Sequence, residues 1–180
     1  MGNGGPSIAF IGFGEAGQAI AAGLNDANAA QMSAWDILFP EAAGKSLLWA
    51  ADANGVRRAV SAADAVQGAE IVISAVTAAS SLDAARSVQA HLRSDTFFLD
   101  INSVSPGRKQ ESAKVLGAAA RYIDVAVLAP IYPARHQTPL LLAGPASTAV
   151  APILAALACV PASPVSRSAP RQRSRWCAAS

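Results

Sequence analysis

A glycine-rich hexapeptide, Gly12-Phe13-Gly14-Glu15-Ala16-Gly17, has the residue types to hold a phosphate anion with backbone alone. In such a turn Gly12 permits the sharp exit from a strand, Gly14 lets the backbone approach a pyrophosphate, and Gly17 lets the next helix pack on the strand. Free N–H groups and the positive dipole end of that helix then face the anion. Asp36 stands 24 positions after Gly12, near the spacing of roughly 20 at which an acidic residue meets the ribose of a dinucleotide. A carboxylate there accepts hydrogen bonds from both ribose hydroxyls and repels a 2′-phosphate. No arginine follows within ten residues, only Lys45, which favours NAD, with NADP as the alternative. The plainer readings are a glycine turn kept for packing and a solvated aspartate in a turn.

Two further segments carry polar groups where ligands gather in sheets of this kind: Val76-Thr77-Ala78 and Asp100-Ile101-Asn102-Ser103-Val104-Ser105-Pro106. Both follow strands, and Thr, Asn and Ser there can bond a nicotinamide, its ribose or a substrate. Helix capping is the competing role for Asn102 and Ser103, although Ser105 before Pro106 caps well by itself. His91 reads as the close of a helix and His136 as a loop residue, with Arg135 a candidate for an anionic substrate. Cys159 and Cys177 lack metal-ligand spacing and read as incidental thiols of a reducing compartment. No metal site is expected.

These residues need elements to hold them. The run Ser7 to Ile11 is a strand, the glycine turn follows, and Glu15 to Leu24 is helical. Gln31 to Ile37 is a second strand reaching Asp36, Pro40 to Ala53 a helix, Gly55 to Val60 a brief strand, and Ala62 to Val66 a small helix. Glu70 to Val76, Thr96 to Ile101, Arg121 to Leu128 and Pro139 to Ala143 are strands. They alternate with helices over Ser80 to Leu92, Pro106 to Ala119 and Pro145 to Ala158. Such alternation predicts right-handed crossovers and an α/β fold of the Rossmann type, a doubly wound, mostly parallel sheet.

Composition agrees: 52% of residues are hydrophobic and 14% charged, as a sheet buried on both faces requires. The net charge of +2 arises at one end. Residues 1–160 hold ten Lys/Arg against twelve Asp/Glu, while Arg167, Arg171, Arg173 and Arg175 face no acid. The body therefore shows no charge pattern for nucleic acid. No apolar run reaches the roughly 18 residues of a membrane span, and no leader pattern precedes Ile8, so a cytoplasmic protein is expected.

IAFIGFGEAG, DINSVSP and RYIDVAV together resemble the β-hydroxyacid dehydrogenases, the family of 6-phosphogluconate and 3-hydroxyisobutyrate dehydrogenases, from about Ile8 to Leu157. The resemblance implies an enzyme that passes hydride from a CH–OH carbon of a small hydroxy acid to NAD(P). It implies that Ser103 with Asn102 contacts the substrate, and that Val76 and Thr77 line the nicotinamide. It also implies a helical dimerisation domain after the cofactor domain, beginning with a lysine as general acid/base. Lys45, Lys109 and Lys114 do not occupy that place, and the VAVLAPIYP segment departs from the family's glycine-rich loop.

After Val160 the chain becomes PASPVSRSAPRQRSRWCAAS, without period and rich in arginine. Read from the third base of each codon, permitted codons give Ala-Gly-Val-Ala-Gly-Glu-Pro-Val-Gly-Ala-Ala-Ala-Ala-Leu-Lys-Met-Val, which is similar to the family's lysine helix. The expectation is a dinucleotide-binding domain over 1–160 and a disordered, frameshifted tail over 161–180, leaving a chain with weak or no turnover. The rival functions are a stand-alone dinucleotide-binding or redox-sensing module, and an interaction protein whose arginine tail docks an acidic partner.

Overall fold

A computed structural model describes residues 5–26 and 31–162. The elements in order are β1 (Ser7–Ile11), α1 (Glu15–Asp26), β2 (Gln31–Trp35), α2 (Lys45–Ala53), β3 (Val56–Arg58), α3 (Ala62–Val66) and β4 (Ile71–Ser74). There follow α4 (Ser81–Val88), β5 (Phe97–Asp100), α5 (Pro106–Leu116), β6 (Arg121–Val127), β7 (Pro139–Ala143), α6 (Ser147–Ala156) and β8 (Val160–Ala162).

The eight strands form one sheet in the order β3-β2-β1-β4-β5-β6-β7-β8. Strands β1 to β6 run parallel to one another. Both faces are buried, so successive residues of a strand enter different cores. Ile8 and Phe10 of β1 pack with α1, α2 and α6, while Ala9 and Ile11 pack with α3, α4 and α5. The first core is built from Phe, Ile and Leu. The second is lined by alanines such as Ala62, Ala65, Ala84 and Ala85, whose small side chains let three helices lie close to the sheet. Phe10, with no exposed surface, contributes about 2–3 kcal/mol of burial by itself.

The sheet is mostly parallel, as expected. Its exception is the strand at Pro139, which joins β6 antiparallel, because the connection over residues 128–138 holds only a 3-10 turn, Arg135–Gln137, and no α-helix to carry the chain back across the sheet. One expectation is corrected. Residues 161–162, expected to begin a structureless tail, complete β8, which runs parallel to β7 with Leu141 opposite Ala162. Pro161 is tolerated there because an edge strand has one unpaired side. The folded body thus runs at least to Ala162, past the boundary expected at 160. The rest of the segment expected to be a frameshifted tail, residues 163–180, lies outside the described residues. Among the described residues no helix is long and apolar enough to cross a membrane, and no group of His, Cys, Asp and Glu has the arrangement of a metal site.

Candidate functional site

The loops after β1 and β4 leave in different directions, since β1 lies between β2 and β4 and the strand order reverses there. This reversal opens a cleft of about 590 Å³ at the C-terminal ends of the strands. Gly12 turns into it with φ +86°, while its N–H still donates to the Trp35 carbonyl at 2.9 Å. A side chain at Gly12 would strike the Ala75 carbonyl and Val76, so the position tolerates only glycine. Gly17 lies with its Cα face 3.0 Å from the Gly12 carbonyl oxygen, measured from where a Cβ would stand, and it brings α1 tight against the turn. Around Gly14 the equivalent space is empty for 4 Å. Of these three glycines it alone has no steric reason within the protein to lack a side chain, and it lines the cleft.

The intervening residues divide their roles. Phe13 is fully buried and meets Phe10 and Phe39 edge-on, so its side chain anchors the loop to the core. Gln18 steadies the turn by donating from Nε2 to the Phe13 carbonyl at 2.9 Å. Glu15 is exposed and Ala16 half-buried at the start of α1, where the first-turn N–H groups have no helical partner.

Asp36 stands one residue past β2 on the cleft wall. Its Oδ2 accepts the Phe13 N–H at 2.8 Å and its Oδ1 accepts the Leu38 N–H at 2.9 Å. One bond ties the carboxylate to the glycine turn and the other shapes its own loop, so it is oriented before any ligand arrives. The arginines of β3 are engaged elsewhere, Arg57 with Asp64 at 2.9 Å and Arg58 with Asp52 at 3.1 Å.

Val76 and Thr77 leave β4 on the opposite side of Gly12 and line the same cleft. Asn102, at the end of β5, is buried and faces inward: Oδ1 accepts the Val76 N–H at 2.7 Å, and Nδ2 donates to Ser74 Oγ at 3.0 Å and Asp100 Oδ1 at 2.7 Å. Both amide hydrogens are therefore used within the protein. Ser103 beside it is exposed. Ser105 caps α5, accepting the Arg108 N–H at 3.4 Å, with Pro106 in the first turn.

Behind Asn102 lies a charged network. The Asp100 carboxylate, 1% exposed, accepts from Tyr122 Oη at 2.8 Å as well as from the Asn102 backbone N–H at 3.0 Å. Lys109, itself buried, places Nζ 2.6 Å from the Asp100 carbonyl, 3.2 Å from its Oδ1 and 2.9 Å from Asp124 Oδ1. Burial first, and then the Asp100 charge, push the Tyr122 phenol far above its ordinary value, so it remains a donor.

The remaining candidates sit elsewhere. His91 is exposed at the turn ending α4. Arg135 pairs with Asp26 at the end of α1, 2.6 Å away, and His136 packs over Gly23 of α1; neither lines the cleft. Sequence reasoning missed Trp35, Ile37, Leu38 and Leu47 on one wall, and Ser80, Asp83, Ala84 and Ser87 on another. The second group comes from α4 and the turn before it. The position of α4 directly after the β4 exit was the available signal.

Residues 7–163 match the profile of the NAD binding domain of 6-phosphogluconate dehydrogenase. Among solved structures, a conserved hypothetical protein from Sinorhizobium meliloti 1021 is 35% identical, with a TM-score of 0.83 over 88% of this chain and 53% of that one. A conserved protein of unknown function, MTH1747, described as similar to 3-hydroxyacid dehydrogenases, shares 24% identity and a TM-score of 0.75 over 87% of this chain and 57% of its own. The 3-hydroxyisobutyrate dehydrogenase of Mycobacterium tuberculosis, solved with L-serine, shares 24% identity and a TM-score of 0.74 over 88% and 54%. The last two likenesses establish the fold. This chain spans about half the length of each. No curated protein matches it. With the profile covering the whole described sheet, the chain belongs to the family of the NAD binding domain of 6-phosphogluconate dehydrogenase.

Proposed function

We propose that the chain binds NAD in this cleft as the cofactor half of an oxidoreductase acting on the CH–OH group of a small hydroxy acid. The observation that carries the reading is the space at Gly14, clear of protein for 4 Å at the mouth of α1, with an oriented carboxylate 22 residues further on in the chain at the cleft wall. Backbone donors from Gly14 to Gly17 would hold the pyrophosphate. Asp36 would accept from the adenosine ribose hydroxyls, and its charge would repel the extra phosphate of NADP. The nicotinamide half would extend to the β4–β5 side, past Val76 and Thr77 toward Ser103, which is the exposed hydroxyl suited to a substrate's polar groups.

Bound there, the nicotinamide would accept hydride from the carbinol carbon. The residues of this chain bind, orient and exclude water. Among the described residues, the cleft lining includes neither lysine nor histidine to take the hydroxyl proton, and Lys109 is committed to Asp100 and Asp124. Binding without turnover is the result expected of these residues.

Trp35 lies in the cleft wall and supplies the test. NADH titrated into the protein should quench its emission, and NADPH should bind about tenfold more weakly or worse. Absence of any response to either nucleotide, with displacement assays also silent, overturns the reading. A screen of small hydroxy acids with NAD, followed by NADH absorbance, distinguishes a binding half from a complete enzyme: clear turnover would refute the missing proton acceptor.

A further inference from the structure

We propose that Asn102 is a positioning residue of the cofactor cleft, oriented by the buried Asp100–Lys109–Tyr122 network so that it clamps the Val76 backbone on the nicotinamide side. The proposal rests on the reading of the cleft as a dinucleotide site.

Strand pairing between β4 and β5 closes with the Ile101 N–H donating to the Ser74 carbonyl at 3.2 Å. Beyond it the two chains part, β4 into the cleft wall and β5 toward α5. Val76 N–H is a backbone donor past the last rung, and without a partner it would be partly buried and unsatisfied. The Asn102 side chain replaces the missing rung by accepting it at 2.7 Å, while Nδ2 holds Ser74 Oγ on β4 and Asp100 Oδ1 on β5. The amide cannot be reversed, because a backbone N–H must meet oxygen and the Asp100 carboxylate must meet N–H.

Asp100 enforces that orientation. Its Oδ1 accepts from the Asn102 backbone and side chain together and also faces Lys109 Nζ, while Tyr122 Oη occupies Oδ2. The pattern of Asp at one position and its acceptance of the N–H two residues on is an Asx turn, which bends the chain out of β5 and aims Asn102 back at β4. On its other side Val76 lies close to the glycine turn, its Cγ1 2.6 Å from where a Cβ of Gly12 would stand. The clamp therefore sets the distance between the glycine turn and the wall on which the nicotinamide half would rest, and leaves the Asp36 side untouched.

The test compares a ligand that uses both halves of the cleft with one that uses the adenosine half only. In the full chain, Asn102→Leu should weaken NADH binding about tenfold, the scale of one or two lost hydrogen bonds, and leave ADP binding within about twofold of the parent. Asp100→Asn, with Asn102 intact, should show the same selective loss. Tyr122→Phe, which keeps the ring stacked on Phe98 and loses only the hydroxyl, should weaken NADH by about threefold and carries the test if the other two fail to fold. A purely structural role for the network would lower the unfolding temperature while NADH and ADP affinities move together or not at all; that result overturns the clamp. A parent chain that binds ADP and NADH, with their ratio unmoved in every folded variant, overturns the clamp alone, whereas a parent that binds neither overturns the site as well.

Discussion

Alanine at Gly12 would place a methyl group against the Ala75 carbonyl in a backbone with φ +86°, and both the clash and the dihedral oppose it. Denaturant unfolding of Gly12→Ala should show a loss well above about 1 kcal/mol, with NADH binding lost alongside. Asp36→Asn is milder in the fold, since one amide oxygen can still serve either Phe13 or Leu38. Its effect should fall on discrimination, narrowing the NADH to NADPH affinity ratio by about tenfold or more in paired titrations. Both residues were legible in the sequence because their chemistry depends on type and spacing alone. Asn102 was legible only as a polar group at a strand end. Which way its amide faces is decided by Asp100 and Val76, 2 residues before it and 26 before it in the chain, and no local pattern reports that.

At the scale of elements, α5 is fastened to the sheet by a charge as well as by the buried Leu116 near its end. Lys109 reaches from α5 to β5 and β6, pairing with Asp100 and Asp124, and its removal leaves the buried Asp100 carboxylate without its cation. Lys109→Met should cost about 3–5 kcal/mol in unfolding experiments. The turn at residues 135–137 is fastened differently. The His136 ring lies over Gly23 of α1 with neither ring nitrogen hydrogen-bonded within the protein. Burial lowers its pKa below the ordinary 6.5, the Arg135 charge adds to the effect, and Asp26 opposes it. Above about pH 6.5 both folded and unfolded chains hold a neutral imidazole and its packing counts in full. As the pH falls below that value the unfolded chain takes up a proton that the folded one resists, and stability is lost. Thermal midpoints measured from about pH 7.5 to 5.5 should therefore fall with acidity, and fall less in His136→Phe. The sequence marked His136 only as a loop residue, because a glycine on one helix and a histidine over a hundred positions later meet through tertiary packing. By the same logic, the helix expected from Pro40 begins only at Lys45, where a preceding turn brings Gly44 under the Leu38 carbonyl.

For the whole molecule, the alternation of strands and helices in the sequence was enough to predict a doubly wound sheet, and strands β1 to β6 follow it. The departures collect at one edge, where β7 runs antiparallel and β8 is three residues long. There the periodic signal is weakest: a proline opens β7, another sits in β8, and no crossover helix separates β6 from β7. The cleft lies away from that edge, at the reversal of strand order, and is walled by both cores at once through Ile11 and Trp35. A ligand bound there bridges the two halves of the sheet, so NADH at about one hundred times its Kd should stabilise the fold by about 2.7 kcal/mol. In a thermal scan that corresponds to a rise of roughly 5–10 °C. Gly14 lends that linkage a sharper form. Nothing in the protein fills the space where its side chain would be, and its backbone does not require a positive φ. On stability alone, alanine would be the better residue there, by about 0.4–1 kcal/mol through a less flexible unfolded chain. Gly14→Ala is thus a change that the empty protein would welcome and the loaded protein would reject. In the proposed reading, the absent methyl group is a constraint written by the ligand into a fold that has no use for it.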